Sequence, residues 1–129
     1  MKEFSRYWKG SKSIRKQRKY RIHAPLNIRR SFLSGHLAKE LRTKYGRRSF
    51  PLRKGDTVKI TKGDFKGKEG KIERLDLKNS KIYVAGIDVT KREGTKSFPA
   101  IDPANVLIMQ LVLEDKKRVS SMKKSRGKK

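Results

Sequence analysis

The chain has no cysteine, two histidines and few acidic residues. Without cysteine there are no disulfides and no thiolate metal sites, and the redox compartment is unconstrained. His23 and His36, with no thiol beside them, are too few for a recognisable metal cluster. No apolar run approaches the ~20 residues of a membrane span. The N-terminus is basic but lacks the apolar stretch of a signal peptide, so the expected location is cytoplasmic. Only 12 Asp+Glu oppose 37 Lys+Arg, a net charge of +25. A protein so charged repels itself, and a polyanion is its natural neutraliser. Nucleic acid is the commonest polyanion. A membrane surface fits less well, because no long amphipathic segment pairs a basic face with a large apolar one.

What remains suits a small core. The 129 residues allow one domain plus extensions. Hydrophobic residues are 33% and charged residues 38%, so part of the chain must be solvated or ordered by a partner. Residues 1–50 hold 16 basic and 2 acidic side chains, against 13 and 7 in residues 51–100. The excess charge therefore sits mainly in the N-terminal part.

Residues 55–72, GDTVKITKGDFKGKEGKI, organise the rest. Val58 and Ile60 alternate with Thr57, Lys59 and Thr61, the period of a half-buried strand. Gly63, Gly67 and Gly70 follow, mixed with Lys62, Lys66, Lys68 and Lys71, before Ile72 restarts the apolar pattern. Glycine permits a sharp turn and close backbone approach, and the lysines place positive charge on the exposed loop. Such a loop suits phosphate. It is not a nucleotide-binding loop of the G-x-x-x-x-G-K-[ST] type, because Glu69 follows Gly67-Lys68 and the preceding glycine spacing is wrong. The carboxylates are scattered and form no acid–base pair. Neither enzymatic activity, a cofactor nor a small-molecule substrate is expected.

Strands are expected at about residues 70–76 and 81–84, with Ile87 and Val89 extending the latter, and from Val106 towards Leu113. The core should hold Val58, Ile60, Ile72, Leu75, Ile82, Val84, Val106 and Ile108, with Leu111 beside them. Each contributes roughly 1.5–3 kcal/mol on burial, before entropy. Residues 34–45 read as one helix, with Ser34 as N-cap, a Leu37-Leu41-Tyr45 stripe and Gly46 as terminator. Residues 11–21 could form a short helix, marginal alone, ending before Pro25. Residues 1–30 are expected to be an arm that orders on RNA. Phe4, Tyr7, Trp8 and Tyr20 either stack on unpaired bases or fold back on the protein. From Lys116 a mobile basic tail is expected.

The segment 55–72 resembles the KOW motif, through Asp56, Val58, Ile60, Gly63, Phe65, Gly67, Gly70, Lys71 and Ile72. That motif opens small SH3-like barrels in ribosomal proteins and transcription elongation factors. Four further stretches narrow the resemblance. They are Arg15-Lys16-Gln17-Arg18-Lys19 with Ala24-Pro25-Leu26, residues 33–42 with Lys44-Tyr45-Gly46 and Arg48-Ser49, residues 53–58, and Pro103-Ala104-Asn105-Val106. Over roughly residues 11–118 the chain is similar to the archaeal and eukaryotic form of the universal large-subunit ribosomal protein family numbered twenty-four. Ile14, Asp102 and Ala104 depart from that family's usual proline, histidine and serine.

The resemblance implies a mostly β protein. Residues 51–115 would form a small SH3-like barrel. Residues 1–50 would be a basic extension with one short helix, and residues 116–129 a basic tail. It implies a structural part of the large ribosomal subunit that binds ribosomal RNA early in assembly, near the polypeptide exit tunnel, beside other ribosomal proteins. The expected RNA contacts are Arg15, Lys16, Arg18, Lys19, Arg21, Arg29, Arg30, Arg42, Lys44, Arg47, Arg48, Arg53, Lys62, Lys66, Lys68 and Lys71. Two competing readings are a transcription-elongation KOW module, which normally accompanies another domain, and a general nucleic-acid-compacting protein.

Overall fold

Strand formation follows the alternating pattern closely in the middle of the chain. The computed structural model describes residues 4–7 and 10–123. The N-terminal part holds helices α1 (Ile14–His23) and α2 (Leu26–Phe32), strand β1 (Ser34–Leu37), helix α3 (Lys39–Tyr45) and strand β2 (Ser49–Pro51). Then come strands β3 (Thr57–Ile60), β4 (Glu69–Asp76), β5 (Lys81–Val84), β6 (Val89–Thr90) and β7 (Lys96–Ser97). A 3-10 turn (Pro103–Asn105), strand β8 (Val106–Gln110) and helix α4 (Lys116–Lys123) complete the order.

The main sheet has six strands in the order β2-β1-β8-β3-β4-β5, and β6 pairs with β7 alone. The sheet is open, with β2 and β5 at its edges. Strands β1 and β8 run parallel, and the other neighbours antiparallel. Ile101 makes an isolated bridge to Ile82 on β5 and partly covers that edge. The domain is therefore mixed helix and sheet rather than mostly β.

Val58, Ile60, Ile72, Ile82, Val84, Val106 and Ile108 are buried, while Leu75 and Leu111 pack at the margin. The core is larger than the alternating strands alone supply. Leu33, Leu37, Phe50, Leu52, Ile87, Ile101 and Met122 join it.

Three expectations are corrected. Residues 34–45 are a strand and a short helix. Ser34, Gly35 and His36 pair with β2, and Leu37 is registered against Ile108, so sheet pairing overrides the helical spacing. The helix starts after Ala38, and Ser34 is not its cap. Gly46 does end it, at φ 62°, with its N–H donating to the Arg42 carbonyl at 2.8 Å. Second, Ile87 and Val89 do not prolong β5. The chain turns at Gly86, burying Ile87 and sending Val89 into β6. Third, residues 116–123 are not a loose tail. Helix α4 docks on the core with Arg118 and Met122 buried. Residues 124–129 lie outside the described residues.

The extension holds α1 and α2 before β1 besides α3, and α1 overlaps the short helix expected over residues 11–21. Helix α1 buries none of its residues. Ile14 takes its first helical position, where proline would also fit. Arg29 ties the extension down by donating to the carbonyls of Ala24 (2.8 Å), Ile22 and, from the β4–β5 turn, Lys78 (2.9 Å).

Candidate nucleic-acid interface

The glycine-lysine loop between β3 and β4 is held by its own backbone. The Gly67 N–H donates to Ile60 O at 2.8 Å, the Lys66 N–H to Gly63 O and the Lys68 N–H to Phe65 O, both at 3.1 Å. Gly63 and Gly67 adopt φ of 96° and 89°, values that side chains resist. The fold closes this loop while Lys62, Lys66 and Lys68 stay exposed. Lys68 Nζ rests 5.3 Å from the centre of the Phe65 ring. Gly70 has a different function. A Cβ there would meet Ala85 O at 2.4 Å, so this position lets β4 pass tightly by the end of β5.

A second basic group surrounds α3. Arg42, Lys44 and Arg48 are exposed, and Arg47 lies over the Phe50 ring at 5.8 Å. The Arg42 Nε donates to the Leu37 carbonyl at 2.6 Å. A third group lies on α1, where Arg15, Lys16, Arg18, Lys19 and Arg21 are all exposed. Arg30 and Lys71 are exposed on α2 and β4.

Register separates two of these groups. Leu37, the last residue of β1, lies opposite Ile108, and β1 runs parallel to β8. Ile60, the last residue of β3, lies opposite Val106, at the other end of β8. The glycine-lysine loop and α3 thus leave the sheet at opposite ends of β8. The loop and α3 groups therefore lie apart rather than in one cluster.

Not every expected contact is open to RNA on equal terms. Arg29 is engaged by the three carbonyls described above, and Arg53 pairs with Asp115 at 2.7 Å. These two fasten the fold. Asp102, a departure from the family pattern, accepts from the Ala104 N–H at 3.1 Å and pairs with Lys81 at 3.3 Å, so it caps the 3-10 turn. Among the aromatics, the Phe4 ring folds back on Tyr20 at 4.9 Å, while Tyr7 is 84% exposed. Trp8 lies outside the described residues.

Electrostatics favour an anion throughout. The acidic groups with shifted ionisation are those held by neighbours. Asn79, through its backbone and side chain, holds the Asp76 carboxyl below its ordinary range, Lys96 does so for Asp88, and the Lys117 N–H and Arg53 do so for Asp115. Among the described residues no cluster of three metal-binding side chains occurs, and no helix is long and apolar enough to cross a membrane.

The profile of the family of eukaryotic L26 and archaeal L24 ribosomal proteins matches residues 11–125. The chain belongs to this family. It is 45% identical over 108 residues to the large ribosomal subunit protein uL24 of Methanosphaera stadtmanae, covering 84% of this chain and 92% of that one. It is 46% identical over 114 residues to the protein of the same name from Methanosarcina barkeri, covering 88% and 98%. The span matched by the family takes in the basic extension, the sheet and helix α4 together.

Sequence reasoning missed Arg118, which it assigned to the tail. Arg118 is buried and structural. It also missed Lys54, Arg74 and Lys96 with Tyr83 and Phe98, which line one cleft together with Glu73 and Ser97.

Proposed function

We propose that this protein is a structural, non-enzymatic constituent of the large ribosomal subunit in the cytoplasm. It binds large-subunit ribosomal RNA through the exposed cations of α1, α3 and the β3–β4 loop. The observation that carries this reading is the family match over residues 11–125, joined to a net charge of +25. The mechanism is architectural. Cations on two ends of a rigid sheet neutralise phosphates of separate RNA segments and let them pack, with phosphate contacts fixing position. Arg15, Lys16, Arg18, Lys19, Arg21, Arg30, Arg42, Lys44, Arg47, Arg48, Lys62, Lys66, Lys68 and Lys71 supply those contacts.

In this reading residues 51–115 supply a body of SH3-like barrel type, which β1 and β2 of the basic extension, residues 1–50, join in the sheet. Binding occurs early in assembly, near the exit tunnel and beside other ribosomal proteins. The match spans the extension as well as the KOW segment, which disfavours an isolated transcription-elongation module and a general compacting protein. The test is cosedimentation. The protein stays with purified large subunits through a moderate-salt wash. Sedimentation free of ribosomes at low salt overturns the proposal.

A further inference from the structure

A cleft of about 620 Å³ opens on the outer face of β4 and β5, lined by Lys54, Glu73, Arg74, Tyr83, Lys96 and Phe98 with Ser97. It is shallow and widely open to solvent, suited to a flat group laid on its floor. The sheet builds it through an irregularity. Register between β4 and β5 shifts between Ile72 and Arg74, so Ile72 faces Val84 and Arg74 faces Tyr83. Ile72 is buried, whereas the next two residues, Glu73 and Arg74, are both exposed. A bulge re-aims side chains in this way. The Arg74 guanidinium lies 4.7 Å from the centre of the Tyr83 ring, making a flat, charged platform. Phe98 is 51% exposed beside it, an apolar ring left open to solvent in a basic setting.

We propose that this cleft takes one unpaired nucleotide of an RNA loop. The proposal rests on the RNA-binding reading above and adds a site that reads a base. Phe98 and the Arg74–Tyr83 platform offer π-faces on which a base stacks. Lys54 supplies a cation for the adjoining phosphate, with Lys96 held at the rim by Asp88 at 3.0 Å. Glu73 is the one carboxylate lining the cleft. It repels phosphate from its own side and accepts a hydrogen bond from an exocyclic amine, as carboxylates do from cytosine N4. Together they favour a base that carries an amino group over uracil. A duplex, whose bases are stacked and paired, cannot enter.

The test uses the full chain with three labelled RNAs at one salt concentration: hexacytidylate, hexauridylate and a blunt duplex. Phe98→Ala removes no charge, and the half-exposed ring makes it compatible with folding. Unchanged thermal melting confirms that. The expected result is a roughly tenfold loss of hexacytidylate affinity in Phe98→Ala with duplex binding unchanged. Hexacytidylate binds more tightly than hexauridylate, and Glu73→Ala erases the difference. Equal losses on duplex and single strand, or no loss on either, overturn the proposal while RNA binding stands. If the native chain binds none of the three RNAs, the RNA reading falls with it. An acidic peptide that competes with hexacytidylate and loses affinity more than the RNA does in Phe98→Ala would assign the cleft to a protein partner and overturn it too.

Discussion

Asp56 and Arg118 form a buried ion pair, with Arg118 Nη2 2.6 Å from Asp56 Oδ2 and both side chains almost wholly out of water. The pair is fully engaged on the acidic side. Asp56 accepts two bonds from Arg118 and one each from the Arg53 and Val112 N–H groups, at 2.9 and 3.0 Å. Arg118 also donates to Val112 O at 2.7 Å and Pro51 O at 3.3 Å, and lies over the Phe50 ring. One aspartate at the entry to β3 thus fixes both the link before the sheet and the helix after it. Breaking such a pair leaves a charge buried without its partner. Arg118→Ala should therefore destabilise the fold by about 3–5 kcal/mol. Urea unfolding measures it. The double variant with Asp56→Ala should lose clearly less than the sum of the singles, because each single strands the other partner. Additive losses would show that the two residues act separately.

Gly70 carries a second prediction. The Gly70→Ala methyl would lie 2.4 Å from a backbone oxygen that cannot swing away, and 2.7 Å from Val84 Cγ1. Overpacking of this kind costs about 1–3 kcal/mol. The expected outcome is a lower urea midpoint, with altered amide shifts concentrated at residues 69–72 and 84–86. By contrast, nothing lies within 4 Å of a Cβ at Gly67. There only the positive φ opposes alanine, so Gly67→Ala should be the milder change. An equal loss at both positions would rule out steric approach as the reason for Gly70.

The middle of the fold was legible because its signal is local. Val58 and Ile60, Ile72, and Ile82 with Val84 each alternate with polar neighbours, and β3, β4 and β5 follow that period. The glycine at position 46 likewise ends α3 in the expected left-handed turn. What was not legible depends on distant partners. Ser34–Leu37 is a strand only because β2 and β8 flank it, while Leu41 and Tyr45, which share the spacing with Leu37, do lie on helix α3. Helix α4 is nearly all polar by composition. Its place is decided by Asp56, 62 residues away, which no window around Arg118 contains. The interface shows the same limit. Basic residue types were readable, yet which of them hold the fold together, as Arg29 and Arg53 do, needed their carbonyl and carboxylate partners.

Helix α4 should also be sensitive to acid. Asp115 accepts from the Lys117 N–H at 2.8 Å at the start of this helix and pairs with Arg53. Both interactions hold its carboxyl below the ordinary value of 3.8. A carboxyl whose folded pKa is depressed stabilises the fold fully above the unfolded value, and that contribution is lost as pH falls through the folded one. Docking of α4 should therefore be constant at neutral pH and loosen only below about pH 4. Amide exchange of residues 116–122, referred to that of β3, reads this between pH 6 and 2. Asp115→Asn should weaken the helix start at neutral pH and flatten the acid response. Loosening that begins near pH 6 would implicate a histidine instead.

Helix α1 should be the least protected helix of the free protein. It has ten residues, buries none of them and has no side-chain cap. Isolated helices of this length are marginal in water. Its fastenings include the contacts of Tyr20, at 6.2 Å, and Arg21, at 5.6 Å, with the Phe32 ring, and the Arg29 bond to the Ile22 carbonyl. Hydrogen exchange of residues 14–23 should be fast without RNA and slow when the chain is bound to its ribosomal RNA, with β3 protected in both states. Arg29→Met should speed exchange in α1 and leave β3 unchanged. Strong protection of α1 in the free chain would contradict an arm that orders on its partner.

The separated loop and α3 groups make a quantitative prediction about salt. Each phosphate that a cation neutralises releases counterions and steepens the decline of binding with salt. Lys62, Lys66 and Lys68 stand exposed on a loop whose shape is set by backbone bonds and by Gly63 and Gly67. Replacing one lysine by alanine should therefore leave folding within about 0.5 kcal/mol. It should reduce the slope of log affinity against log salt by about 1 for each lysine–phosphate pairing removed. Arg42 and Arg48, at the other end of β8, should do the same independently, so a loop variant and an Arg48→Ala variant should combine additively. Arg53→Ala should behave differently. Its guanidinium is engaged by Asp115, so it should lower stability while changing the salt slope less than a loop lysine does. A slope unchanged by any loop lysine, measured on the purified chain with its ribosomal RNA, would remove the loop from the RNA interface.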